Sequence, residues 1–215
     1  MAIPLYFAAN WKEFVSGTQK RWAQIGFGFI PNGTLRMPQQ RIPEALCIID
    51  DRDVPAAVPD ELLQMLAAQC ENGCFLDFER PPLPFHAALL AALGQVRPLL
   101  VPEQFLSYVP QGLAVVSCPW PCNCWERFCA ESAKNHPNGW AMELIPWRHR
   151  IDVPFGCAEA VRFIEGALCH CQSSSEGTLY YDDRQTLLQK LSMAERHGCR
   201  LAIGLAEELA EAGLT

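Results

Sequence analysis

One junction recurs along this chain: a helical-looking segment, a glycine, then a short apolar run rich in β-formers. It appears as "AAQCENG" before "CFLDFE", "SYVPQG" before "LAVVSC", "KNHPNG" before "WAMELI" and "AERHG" before "CRLAIGL". Glycine just past a helix suits a left-handed C-cap, where a Cβ is strained. Apolar runs that are continuous rather than alternating suit strands covered on both faces. Together these features are the αβ units of a parallel sheet.

Eight runs meet the same criteria, over residues 5–9, 25–30, 46–49, 74–78, 99–101, 113–117, 140–145 and 201–205. Eight favours a closed (β/α)8 barrel of TIM type; a doubly wound open sheet is the alternative. No G-x-G-x-x-G or P-loop follows any strand, so the open sheet has no nucleotide site to support it. The 215 residues fall short of the roughly 250 typical of such barrels, so some crossover helices must be shortened or missing. "PNGTLRMPQQRIP" between the second and third strands has no room for a full helix, and "PEQFLSYVPQG" has room for a turn or two. Pro59-Asp60 opens an amphipathic helix with Leu62, Leu63, Leu66 and Cys70 along one side. Asp183 opens another, with Leu187, Leu188, Leu191 and Ala194 on one stripe before Gly198 stops it.

Composition narrows the partners. Half of the residues are hydrophobic and 19% are charged, enough for a substantial core in a single domain spanning 1–215. A formal net charge of −7 without any dense Lys/Arg run argues against nucleic acid or anionic lipid as a partner. "MAIPLYFAANWKEF" lacks the basic and apolar regions of a signal peptide, and no segment is apolar for long enough to span a bilayer, so a cytoplasmic chain is expected. The eleven cysteines are odd in number and irregularly spaced. They read as reduced thiols serving as small apolar side chains. Four of them, Cys118, Cys122, Cys124 and Cys129, or some with His170, would be a zinc alternative, but paired C-x-x-C units are missing and neither metal nor cofactor is expected.

In a parallel barrel, active sites lie at the carboxyl ends of the strands. The first run ends in Asn10-Trp11, the third in Asp50-Asp51, the fourth in Asp77-Phe78-Glu79 and the fifth in Glu103. The sixth ends in Ser117 with Trp120 close behind, and the seventh carries Glu143 before Trp147. Carboxylates bond hydroxyls and move protons while indole faces stack on sugar rings, so this rim suits a carbohydrate or glycoconjugate. Asp50 and Asp51 could equally cap the helix that follows; Glu79 is separated from its helix by "RPPLP". Strand alternation puts Phe75, Asp77 and Glu79 on one face and Cys74, Leu76 and Phe78 on the other. The apolar set would meet the helices, leaving the two acids pointing inward, about 7 Å apart from a rise of roughly 3.3 Å per residue. Carboxylates so placed push one pKa upward, which is how a general acid is made at neutral pH.

The stretch "NGCFLDFERP" resembles the fourth-strand signature of the chitinase-like family 18 glycoside hydrolases, D-G-x-D-x-D-x-E followed by Pro. Gly73, Asp77, Glu79 and Pro81 match, and Phe78 stands at an aromatic position. "LYYDDRQTLLQKLSMAERHGCRLAIGL" resembles the family's Y-D-D segment, including Tyr181 and Asp182, with its following helix and last barrel strand. The resemblance implies a retaining, substrate-assisted glycosidase. In it, Glu79 protonates the glycosidic oxygen and Asp77 orients the substrate's N-acetyl group. The chain departs from the pattern at Asn72 and Phe75, where the family has acids, in "LAVVSCPW", where M-x-Y-D is expected, and at Gly204-Leu205, where a sugar-stacking Trp is expected. These departures leave open a catalytically silent glycan-binding or assembly protein on the same barrel. A two-glutamate retaining glycosidase using Glu79 and Glu143 is a further reading. The Y-D-D match also reads as a plain helix N-cap.

Overall fold

The computed structural model describes residues 3–53, 58–117, 125–151, 168–174 and 177–214. Its main strands are Leu5–Ala9 (β1), Arg21–Phe29 (β2), Leu46–Asp50 (β4), Cys74–Asp77 (β5), Leu99–Pro102 (β6), Leu113–Ser117 (β7), Trp140–Glu143 (β8) and Cys199–Leu205 (β12). Their order is β1-β12-β8-β7-β6-β5-β4-β2, and β1 pairs with β2 to close the ring. This is an eight-stranded parallel barrel with helices between strands, built from the eight apolar runs read in the sequence. A two-residue strand, Leu35–Arg36 (β3), pairs antiparallel to the end of β2 and stands outside the ring. Among the described residues, no helix is long and apolar enough to cross a membrane.

By contacts the chain divides into two compact units, Tyr6–Val116 and Met1–Leu5 with Ser117–Thr215. In the first, helices Asp60–Gln69 (α1) and Pro84–Ala92 (α2) cover one face of the sheet. Cys47, Ile49, Cys74, Leu76, Phe78, Leu99 and Val101 form one cluster with Leu63, Leu66, Leu89 and Leu90 from those helices. The face of β5 expected to meet helices therefore does so. Phe75, on the opposite face, is also buried, which explains the continuous apolar run. Full burial of each such leucine or phenylalanine stabilises the unit by about 1.5–3 kcal/mol.

The abbreviated crossovers are in this unit. After β1 comes only a 3-10 turn, Trp11–Glu13. An aromatic strap covers the strands in place of a helix: Trp11 packs on Phe14 at 5.3 Å, Phe14 on Trp22 at 5.4 Å and Trp22 on Phe7 at 6.1 Å. Between β2 and β4, Arg41 lies 4.8 Å over the Phe27 ring and donates to the Gln69 side chain. Buried Gln24 donates to Gln40 O and accepts from Ile42 N, satisfying a loop that has no helical ladder of its own. The connection after β6 is one turn, Glu103–Phe105, anchored by fully buried Phe105.

In the second unit, β8 and β12 pair in parallel and are covered by Trp125–Asn135 (α3) and Arg184–Arg196 (α4). Two buried indoles join these elements: Trp125 Nε1 donates to Lys190 O and Trp140 Nε1 to His197 O, each at 3.1 Å. Leu144 N bonds Ile203 O at 2.7 Å, and a Cβ on Gly204 would lie 2.4 Å from Leu144 O. The glycine at the end of the last strand is thus demanded by backbone approach. A short helix, Ala206–Glu211 (α5), follows. The sequence reading did not include a small antiparallel sheet placed after β8, of order β10-β11-β9 with strands His170–Ser174, Gly177–Tyr181 and Arg148–Ile151.

Cys47, Cys70, Cys74, Cys129 and Cys199 are buried, as small apolar side chains would be, and Cys169 is half-buried. Hydrogen bonding to Cys70 and burial push the Cys47 thiol up, and burial pushes Cys199 up to about 12. Cys118, Cys122 and Cys124 lie outside the described residues.

Candidate active site

The carboxylates expected at strand ends fall into two groups, one in each unit. In the first unit, Asp50 ends β4 and stands in register with Asp77, which ends β5. Asp50 accepts from Arg36 Nη2 at 2.5 Å and from Arg52 Nη2 at 2.7 Å. Burial works to raise its pKa, but the bonds from Arg52 and Arg36 outweigh burial and hold the carboxyl below the usual range. Gly28 makes room for this: a Cβ there would lie 2.7 Å from Arg36 Nη2. Arg52 feels a second acid, since its bond to Asp50 and then the charges of Asp77 and Asp53 raise its own pKa. Neither Asp50 nor Asp51 caps α1, whose N-cap is Pro59.

The strand stops at Asp77, one residue short of the run read in the sequence and two short of Glu79, which alternation placed on its face. Phe78 turns into the core between His86, at 4.8 Å, and Phe105, at 5.3 Å. Glu79 follows outside the strand, just before a bend at Arg80, and is exposed. The cause lies 28 residues earlier: Asp51 Oδ1 accepts from Glu79 N at 3.1 Å and Oδ2 from Arg80 N at 2.9 Å. Those two amides are thereby taken from any ladder, and Pro81 and Pro82 cannot donate to one. Among the described residues, no hydrogen bond or ion pair engages the Glu79 side chain. The Arg80 guanidinium is directed to Arg52 O at 2.8 Å.

The remaining candidates of this unit sit at strand ends with differing commitments. Asn10 caps the turn after β1, accepting from Lys12 N while its own N–H donates to Glu13, each at 2.8 Å. Trp11 is 39% exposed, so it presents indole surface to solvent. Glu103 opens the turn after β6 and is exposed.

In the second unit, Glu143 ends β8, half-buried, and accepts from Ser117 Oγ at 2.5 Å. Glu208 of α5 is its acidic neighbour. Burial, then the charges of Glu143, Glu211 and Glu207, raise the Glu208 pKa. A cavity of about 510 Å³ opens here, walled by Trp147, Arg148, Tyr181, Asp182, Glu208 and Glu211 among others. Trp147 is buried and stacks on Tyr180 at 6.1 Å.

Asp182 faces that wall with its oxygens engaged. It accepts from Lys190 Nζ at 2.7 Å, Trp147 N at 2.8 Å and Thr186 Oγ1 at 2.9 Å, with no exposed side-chain surface. Asp183 is the N-cap of α4, accepting from Thr186 N at 2.9 Å, and His170 Nε2 lies 3.0 Å from its other oxygen. The backbone bond from Thr186 leads the causes that lower its pKa. Trp120 lies outside the described residues, and among those described no group of His, Cys, Asp and Glu is placed to hold a metal.

Fold and site together define a class: a compact parallel α/β barrel with carboxylates at the carboxyl ends of its strands. No protein-family model and no curated protein matches the chain. Among solved structures it is similar to the spore cortex-lytic enzyme SleL of Bacillus cereus, at 10% identity and a TM-score of 0.54, over 99% of this chain and 71% of that one. It is also similar to the spore cortex-lytic enzyme SleL of Bacillus megaterium QM B1551, at 12% identity and a TM-score of 0.52, over 94% and 70%. At such identity the likeness is one of fold.

Proposed function

We propose that this chain is a glycoside hydrolase of the retaining, substrate-assisted kind, acting on a carbohydrate or glycoconjugate. The observation that carries the reading is the pair at the end of β5. Asp77 is the last strand residue, and Glu79 stands two residues on, beyond the strand, with an exposed carboxyl that no hydrogen bond or ion pair engages among the described residues. Likeness in fold to two cortex-lytic enzymes supports the same class. Glu79 gives its proton to the glycosidic oxygen as the bond to the anomeric carbon breaks. The carbonyl oxygen of the substrate's N-acetyl group attacks that carbon from the other side, and Asp77 orients the amide and stabilises its developing charge. Glu79, now a carboxylate, takes a proton from the water that opens the cyclic intermediate, so configuration is retained.

The test is turnover of aryl N-acetylglucosaminides, glucosides and galactosides by the wild type and by Glu79→Gln. The substitution should cost about 10²–10⁴-fold in kcat. A second reading, a silent glycan-binding protein on the same barrel, is favoured by Arg52, which is ion-paired to Asp50 and near enough to Asp77 to feel its charge. Glycan binding without turnover of any of these substrates establishes that reading and removes the first.

A further inference from the structure

We propose that Asp51, with His86 behind it, is the positioning device of this site, fixing the backbone bend at residues 79–80 and so aiming the Glu79 carboxyl. The assignment of Glu79 rests on the glycosidase reading above; the hold on its turn does not. Asp51 directly follows Asp50, yet the two side chains serve different partners. Asp50 takes the arginines, while Asp51, 4% exposed, takes two consecutive backbone amides.

Behind Asp51 stands His86, with no exposed surface, packed against the rings of Phe78, Phe85 and Phe105 at 4.8, 5.5 and 5.1 Å. Its Nδ1 accepts from Leu83 N at 3.0 Å, so the ring proton of neutral His86 is on Nε2. Nε2 lies 3.4 Å from Asp51 Oδ2, close enough for charge to act between them, and makes no hydrogen bond among the described residues. Burial lowers the His86 pKa, which favours the neutral ring. Asp51 thus accepts from two backbone amides, and the edge of the His86 ring stands behind its Oδ2.

The same turn is held from its other side. Gln104 Nε2 donates to Arg80 O at 3.0 Å, and the Arg80 guanidinium donates to Arg52 O. An exposed side chain on a backbone held at successive donors and acceptors is preorganised: its reach is fixed by the turn. A displacement of about 1 Å in such a group costs on the order of 10²-fold in rate. Asp51 touches no reacting atom and acts through Glu79.

The experiment begins on the unmodified protein, by measuring couplings across hydrogen bonds from the amide nitrogens of Glu79 and Arg80 to the Asp51 carboxyl carbon. Both couplings should be present, and the His86 ring nitrogens should report a proton on Nε2. Their absence overturns the proposal whether or not any variant folds. Asp51→Asn should then speed hydrogen exchange of those two amides by at least about tenfold, since an amide side chain cannot accept both bonds. On the aryl N-acetylglucosaminide it should lower kcat about 10²-fold with KM within about threefold, a split that general destabilisation does not give. His86→Gln, which can still donate towards Asp51, should retain more kcat than His86→Leu. Unchanged amide exchange and kcat in Asp51→Asn would refute the assignment. If the wild type turns over no aryl glycoside, the glycosidase reading fails, while couplings and exchange still decide the hold of Asp51 on the turn.

Discussion

The Asp182–Lys190 pair is the place where a single substitution should cost the chain most. Both side chains are out of solvent, 2.7 Å apart, and Asp182 also accepts from Trp147 N and Thr186 Oγ1. Lys190 Nζ in turn lies 5.1 Å over the Trp125 ring. Lys190→Met keeps the aliphatic stem but strands a buried carboxylate; Asp182→Asn keeps an acceptor but strands a buried ammonium. Each should cost about 3–5 kcal/mol, the usual consequence of leaving one buried charge unpaired. The double variant removes both charges and keeps an amide oxygen for the backbone donor, so it should cost only about 1–2 kcal/mol. The coupling is then several kcal/mol, large beside a total stability of about 5–15 kcal/mol. Urea unfolding of the four proteins measures it. Single variants that each cost less than about 1 kcal/mol and add in the double would place the pair among weak surface bridges and refute this reasoning.

Two further outcomes follow from the same unit. Glu208 has a raised pKa, so its ionisation opposes folding: the effect is absent below the ordinary carboxyl range and grows as pH rises through the range above it. Glu208→Gln should therefore gain stability over the wild type at pH 7 and none at pH 4, by less than about 1 kcal/mol because the group is only partly buried, as urea midpoints at the two pH values will show. Gly204→Ala drives a methyl to 2.4 Å from Leu144 O and should cost about 1–3 kcal/mol, seen as a lowered Tm.

The barrel strands were legible because most are covered on both faces, and such a strand is a short block of apolar residues wherever it falls in the chain. The small antiparallel sheet was not, because "RHRI" and "HCQSS" carry no apolar alternation and pair only through the intervening "GTLYY". Strand ends show the same divide. That acids follow the strands could be read directly; what each acid bonds could not. Asp51 looks like a cap for the helix that comes next, but its partners are amides 28 and 29 residues away. Lys190 falls three residues after Leu187 and four before Ala194, on the buried side of its helix, where a lysine is unexpected; only the fold reveals Asp182 beside it. Glu79 was read as a strand residue because alternation says nothing of where a strand stops; the stop is made by Asp51 and two prolines.

The strand order also bears on how the chain is made. β12 lies between β1 and β8, so the first strand synthesised gains one of its two neighbours only when residues 199–205 emerge. Ala202 N then donates to Pro4 O, joining positions 198 residues apart. Until that moment β1 and β8 each present an open edge, the form of backbone that recruits strands from other chains. Aggregation of nascent or C-terminally shortened chains, rather than loss of the early αβ units, is the hazard built into this topology, and the final strand is what removes it.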